Sequence, residues 1–320
     1  MGAPSRAAGQ AAAGVVLGAA LDALLADPRR WHPVAAFGRA AAALERRMYA
    51  GSKVRGALYA GTCVAGAAAL GLAADRLAGR RPAVRTVVAA ATTWAALGGT
   101  SLCREGAAMA AELDRGDLAA ARDRLSHLCA RDPVGLDAAE LARATVESIA
   151  ENTSDAVVAP LLWGAVAGVP GLLAYRAINT LDAMVGYRTP HYADFGWAAA
   201  RLDDLANWVP ARLTAMLTVA CAPLAGGSGR RSYAVLWRDG GAHPSPNAGR
   251  CEAAAAGALG VRLGGANVYE GRRERRPAIG DGRPPEVADI RRAVLLSRAV
   301  ALAAVLPAAA VRAVISRRRR

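Results

Sequence analysis

The chain has 320 residues, 54% of them apolar and only 5% aromatic, with 40 Lys plus Arg against 26 Asp plus Glu and a formal charge of +14. That composition excludes a disordered tail and a small disulfide scaffold, and a mean hydropathy of +0.19 points away from a soluble globule toward a membrane-embedded protein. Lysine occurs once, at Lys53, so the Arg excess beside abundant Ala reads as coding bias as much as function and gives no support to nucleic-acid binding.

From the N-terminus, Arg6 precedes an apolar run that meets Asp22 and Asp27 without a small-residue cleavage site, which reads as a retained first membrane segment rather than a signal peptide. Further apolar runs lie near 57–74, 83–100, 156–175, 211–228 and 293–316. A bilayer takes about 20 helical residues to cross, so several of these are marginal spans. The runs are Ala, Leu, Val and Gly without alternation, and backbone groups in lipid must bond internally, which selects helices over strands. The expected fold class is all-α: a polytopic integral membrane protein, one membrane-embedded domain over 1–320 with about four to six membrane-associated helices. Cys63, Cys103, Cys129, Cys221 and Cys251 form no CxxC pair and read as reduced packing residues.

Segment 27–56 carries Arg29, Arg30, Arg39, Arg46, Arg47, Lys53 and Arg55, and 230–292, a polar loop and helix region, is also Arg-rich. Both belong on the cytoplasmic side. A consistent orientation then requires at least one apolar run not to cross, either 156–175, interrupted by Gly168-Val169-Pro170-Gly171, or 293–316, which contains Arg298, Pro307 and Arg312. Residues 101–155 differ in composition and read as a water-facing helical insertion whose charges form a solvated face. One amphipathic helix follows Asp117, Asp132-Pro133 and Gly135 mark a turn, and Asp137 starts the next helix.

Four polar clusters carry candidate chemistry. In Glu147-Ser-Ile-Ala-Glu151-Asn152-Thr153-Ser154-Asp155 the three acids share a helical face, and they either hold a hard metal ion or are neutralised by Arg143. Arg176, Asn179 and Asp182 recur every third residue, a polar stripe that faces either a cavity or a partner helix. In Arg201-Leu-Asp203-Asp204-Leu-Ala-Asn207-Trp208 the adjacent aspartates either bind Mg2+ or are compensated by Arg201 and Arg212. His243-Pro244-Ser245-Pro246-Asn247-Ala248-Gly249 is a rigid turn into an Ala-rich helix; its free N–H groups receive a phosphate or carboxylate, unless Glu252 alone satisfies the helix dipole. There is no GxxxxGK[ST], no GxGxxG after a strand and no HExxH. The four histidines are too dispersed for a zinc site, and His32, in Asp27-Pro28-Arg29-Arg30-Trp31-His32-Pro33, is the one with a polar setting.

Taken in order, Leu21-Asp22 through Val34, Glu147 to Asp155, Arg176 to Arg188, Arg201 to Arg212 and Ser245 to Gly249 resemble the motifs of the CobD/CbiB cobalamin-biosynthesis family, over about residues 14–280. The resemblance implies adenosylcobinamide-phosphate synthase activity in the cell (inner) membrane: a ligase joining (R)-1-amino-2-propanol, or its O-phosphate, to a propionate of adenosylcobyric acid. Use of ATP and Mg2+ makes physical sense there, because a carboxylate must be activated before an amine attacks it. Carried onto this chain, Glu151, Asp155 and Asp182 hold Mg2+ with Asp203 or Asp204 assisting, and Glu147 and Glu151 are catalytic carboxylates. Arg176, Arg188 and Arg201 bind phosphate; Asn152, Asn179, Asn207, Ser245 and Asn247 orient substrate; His32 removes a proton from the attacking amine. The site is expected on the cytoplasmic side, with other cobalamin-pathway enzymes as further partners. The competing expectation is a non-catalytic membrane subunit tethering corrin intermediates. The chain departs from the family pattern at Ala156, where Gly is common, and at Arg250-Cys251, where Trp-Pro is common.

Overall fold

The computed structural model describes residues 3–27, 32–79, 81–269 and 272–318; Pro28-Arg29-Arg30-Trp31 of the His32 motif lie outside the described residues. In chain order the elements are α1 (Ala3–Leu25), α2 (Pro33–Met48), α3 (Lys53–Ala78), α4 (Pro82–Ala96), α5 (Gly99–Asp114), α6 (Leu118–Leu125), α7 (Ala138–Thr153), α8 (Ala159–Val185), α9 (Trp197–Ala206), α10 (Trp208–Cys221), α11 (Gly229–Asp239), α12 (Ala248–Leu259), the strands β1 (Leu263–Tyr269) and β2 (Arg272–Ile279), and α13 (Val287–Arg318). A π turn, Ser154–Val158, lies between α7 and α8, and a 3-10 turn, Ala222–Ala225, follows α10. The fold is helical apart from the antiparallel β1–β2 hairpin.

Among the described residues, five helical stretches are long and apolar enough to cross a membrane: Lys53–Ala78, Pro82–Asp114, Ala138–Val185, Trp208–Ala225 and Val287–Arg318. In α1 the apolar part is shorter, Ala12–Leu25. Both runs that the charge pattern sets aside therefore lie in helices of spanning length. The interruption read at Gly168-Val169-Pro170-Gly171 is a break in α8, where Gly168 takes φ 70° and ψ −157° just before Pro170.

The chain folds into two compact units, one of Met1–Gly98, Ala159–Asn207 and Ala304–Arg320, the other of Gly99–Val158 and Trp208–Ala303. In the first unit, Gly14 and Gly18, one turn apart on α1, let it lie directly against α4. A Cβ on Gly14 would sit 2.6 Å from that of Ala89, and one on Gly18 would sit 2.7 Å from the Ala90 carbonyl oxygen. Small residues at such spacing permit the close backbone approach that helices need where lipid gives no hydrophobic drive. Around α8 the core gathers Ala41, Tyr59, Ala60, Leu181, Val185 and Phe195. Behind the α8 break, the Arg312 guanidinium of α13 lies against Gly168.

In the second unit, Asp137 and Glu140 form a reciprocal capping box that starts α7, and the Asp117 side chain accepts from the Ala120 N–H to start α6, both where the sequence places helix starts. The charges of 101–155 do more than face solvent, because Arg124 joins Glu105 and the buried Glu112 across the α5–α6 turn. Helix α12, rich in Ala and Gly, is buried along its whole length, and α11 packs on it through Ser232, whose hydroxyl donates to the Ala254 carbonyl at 2.7 Å.

The α1–α4 contact predicts that Gly18→Leu costs about 1–3 kcal/mol by overpacking and lowers the unfolding midpoint of the detergent-purified protein. Gly61→Ala, at a position with nothing within 4 Å of the added Cβ, should leave the midpoint unchanged. Equal midpoints for the Gly18 variant and the wild type would contradict the close packing.

Candidate functional site

The sequence-derived residues are divided between the two units. In the first unit, α8 and α9 bring a line of polar side chains together. Arg176 Nη1 donates to Asn179 Oδ1 at 3.3 Å, and Asn179 Nδ2 donates to Asp203 Oδ1 at 3.4 Å. The α8 stripe thus meets a partner helix. Asn207, buried at the end of α9, accepts from the Tyr175 hydroxyl at 2.8 Å. Packing around the Asp203 carboxyl pushes it up to about 6, the neighbouring Asp204 charge adds to this, and hydrogen bonds from Asn207 and Asn179 hold it back. Arg201 pairs with Asp204 at 3.4 Å. The Asp182 side chain folds over Gly186, where a Cβ would collide with its carboxylate, and Arg188 is exposed beyond the end of α8.

His32, in the same unit, caps α2: its Nδ1 accepts the Val34 N–H at 3.2 Å, and its Nε2 lies 3.9 Å from Asp27 Oδ2. With the Nδ1 lone pair so used, the neutral ring carries its proton on Nε2, facing Asp27.

In the second unit, Glu147 on α7 is 4% exposed and fully engaged. Arg131, 5% exposed, donates to its Oε2 at 2.5 Å, while its Oε1 accepts the Gly264 N–H at 2.7 Å and lies 3.5 Å from Arg143 Nη1. Arg143 also donates to the carbonyls of Gly264 and Ala266 and to Asn267 Oδ1, so this ion-pair group fastens the β1–β2 hairpin to α7. Asn152 turns back on its own helix, donating to the Ser148 carbonyl at 2.9 Å. The π turn begins at Ser154, so the regular helical period that aligned Glu147 and Glu151 ends before Asp155.

At the start of α12, Ser245 Oγ accepts from the N–H groups of Asn247 and Ala248 at 3.3 and 3.1 Å, occupying donors that the sequence offers to an anion. Asn247 Oδ1 accepts from Arg212 Nη1 at 3.4 Å, and Arg212 stacks on the Trp208 ring, 4.1 Å from its centroid. Among the described residues, no three His, Cys, Asp or Glu side chains are gathered closely enough to hold a metal ion by themselves.

Sequence reasoning passed over His243 and Glu252 as site residues. Glu252 lies beyond the first turn of α12 and does not meet its dipole. It points inward, with its Oε1 3.8 Å from His243 Nε2 and the two side chains 1% and 4% exposed. Among the described residues, neither Glu252 oxygen nor His243 Nε2 has a hydrogen-bond partner. Burial pushes the Glu252 carboxyl well above the usual carboxylate range, and the charges of Glu147 and Glu151 push it further. Burial, with the Arg276 charge, holds His243 below the usual imidazole range. The pair's only local signal was a His and a Glu flanking a Pro-Ser-Pro-Asn-Ala-Gly turn.

Removing Arg131 takes from Glu147 the guanidinium that meets its Oε2, a loss inside the protein that should cost about 3 kcal/mol of stability in Arg131→Met. Adding Glu147→Gln to it should recover part of that loss. Strictly additive losses in denaturant titrations of the two single variants and the double variant would refute the pairing.

A family model described as CobD/Cbib protein matches residues 15–297. The chain is 56% identical over 290 residues to the cobalamin biosynthesis protein CobD of Mycobacterium tuberculosis (strain ATCC 25618 / H37Rv), covering 90% of this chain and 92% of that one. The proteins of the same name from Geobacter metallireducens and Chromobacterium violaceum are 47% identical over 282 residues and 44% over 301, covering 86% and 91% of this chain and 88% and 93% of theirs. No solved structure matches it significantly. Similarity sustained over nine-tenths of the chain, in a helical membrane framework that carries the motif residues on α7, α8, α9 and α12, shows that this protein belongs to the CobD/CbiB family of cobalamin biosynthesis.

Proposed function

We propose that this protein is an ATP-dependent ligase of the cell membrane, joining (R)-1-amino-2-propanol or its O-phosphate to a propionate of adenosylcobyric acid. The observation that carries this reading is the Arg176–Asn179–Asp203 line of the first unit, in which a cation, an amide and a carboxylate are held by two helices in one hydrogen-bonded row. Such a row suits a phosphorylated substrate: Arg176 and Arg201 match phosphate oxygens, and Asn179 and Asn207 hold position. Arg188, exposed, would meet phosphate from solvent, and Asn247 and Ser245 would orient substrate in the second unit.

The propionate carboxylate attacks the γ-phosphorus of ATP, releasing ADP and becoming an acyl phosphate, or the α-phosphorus, releasing pyrophosphate and becoming an acyl adenylate; the amine then attacks the acyl carbon and displaces phosphate or AMP as the amide forms. His32 takes the proton from the amine through Nδ1 by giving up its cap on Val34, and Asp27 lies beside Nε2 to stabilise the imidazolium.

The donor chemistry fits Mg2+. Asp182, Asp203 and Asp204 in the first unit, and Glu151 and Asp155 in the second, are hard oxygen donors, and Mg2+ commonly takes one or two carboxylates and completes its shell with phosphate oxygens and water. When bound, the ion would neutralise the nucleotide's phosphates. Glu147, held by Arg131, Arg143 and Gly264, supports this arrangement as a positioning residue. The Arg excess of 230–292 supports a cytoplasmic orientation for that segment.

The test is anaerobic incubation of detergent-purified protein with adenosylcobyric acid, ATP, Mg2+ and the amine, with or without its phosphate, read by mass spectrometry. A condensed corrin formed only with ATP is expected, and Asp155→Asn should lower its rate by roughly a hundredfold or more while the variant stays folded. Tight corrin binding without product would instead favour a tethering subunit.

A further inference from the structure

Buried polar atoms are nearly always hydrogen-bonded, so a buried carboxyl with two open oxygens beside an imidazole with an open nitrogen marks a place built for something else. Glu252 and His243 are such a pair, and the gap of 3.8 Å between Oε1 and Nε2 is too long for a direct hydrogen bond. The ring's state follows from its other nitrogen. The Ser245 N–H meets His243 Nδ1 at 3.0 Å, closer than the Ser245 carbonyl oxygen at 3.4 Å, and the shorter contact favours the tautomer with its lone pair on Nδ1 and its proton on Nε2, toward Glu252. With Glu252 as the carboxylate, the pair presents two oxygen acceptors and one N–H donor side by side, and its complement is a small group that brings a cationic donor, whose charge offsets the burial of the carboxylate, and an acceptor on the neighbouring atom.

We propose that Glu252 and His243 form the receptor for a vicinal amino alcohol, the ammonium donating to the Glu252 carboxylate and the adjacent oxygen accepting from His243 Nε2–H. The inference rests on the ligase reading for the identity of that group, since (R)-1-amino-2-propanol is the amino alcohol of the reaction. It adds the residues that select it. An amine lacking the oxygen leaves the imidazole N–H unpaired, and an alcohol lacking the nitrogen leaves the carboxylate unpaired, and each loss is penalised by burial. In its O-phosphate the same oxygen is an ester oxygen and still accepts. His243 is held for this role by the turn itself: a Cβ on Gly249 would sit 3.3 Å from the ring's Cγ, so the glycine lets the imidazole lie against the start of α12.

The experiment is calorimetric titration of the detergent-purified, full-length protein with (R)-1-amino-2-propanol, propylamine and 2-propanol, without ATP or corrin. Saturable binding of the amino alcohol is expected, with each analogue weaker by roughly tenfold or more. Glu252→Gln should weaken the amino alcohol by a similar factor, and His243→Phe should abolish the preference for it over propylamine. In turnover, Glu252→Gln should raise KM for the amine and leave KM for ATP unchanged, which a merely structural role would not do. Absence of saturable binding to folded wild-type protein, or unchanged affinity in a folded Glu252→Gln variant, as a pair bridged only by water would give, overturns the proposal. If Glu252→Gln fails to fold, unaltered analogue selectivity in His243→Phe does the same. Failure of the ligase reading shows separately, as no condensed corrin from wild-type protein with every substrate present, while the titration still decides this site.

Discussion

A carboxylate enclosed by apolar helices must be met by donors, and in the second unit Glu147 is met by three: the Arg131 guanidinium, the Arg143 guanidinium and the Gly264 N–H. Leaving such a group unpaired in the interior would cost several kcal/mol. The requirement therefore dictates where three separate pieces of chain go: the turn carrying Arg131, the face of α7 and the first strand of the hairpin. Arg143 extends the same anchorage to the Gly264 and Ala266 carbonyls. With α7 and the hairpin so fixed, Glu147, Glu151 and Arg276 set the field in which Glu252 and His243 lie.

The abundance of Ala and Gly serves packing. Helix α12 can be buried along its length because it carries so little side chain, and that is how Glu252 comes to lie in the interior of its unit. In the first unit Gly14 and Gly18 bring α1 onto α4, and Gly168 lets α8 break where Arg312 lies against it. Helices that approach this closely hold their few polar side chains in narrow registers. The hydrogen bond between Asn179 and Asp203, from neighbouring helices, is one outcome.

Most of the helical framework was legible in the sequence, because what decides it acts within a turn or two. Apolar runs of spanning length became helices, Asp117 and Asp137 started α6 and α7, and the Gly168-Val169-Pro170-Gly171 interruption became a break. Much of the candidate site was not legible, because partners of buried polar groups come from distant chain. The acids at Glu147, Glu151 and Asp155 were visible as a pattern, but Arg131 and Gly264 as partners of Glu147 were not. Local competition also misled: Asn152 prefers the Ser148 carbonyl of its own helix, and Ser245 takes N–H groups that looked open to an anion.

The sequence by itself determined a helical membrane protein, its family, and the helix starts and polar stripes, since periodicity, capping and hydropathy depend on neighbouring residues and on the solvent around them. Tertiary structure alone decided which of the polar residues are met by donors from distant chain and which are not. Glu147 and Glu252 are both glutamates of polar clusters beside Ala-rich helix, yet one is met by two guanidiniums and a backbone N–H while the other lies across a gap from an imidazole. That difference arises from where long-range packing delivers each partner, and no local pattern encodes it.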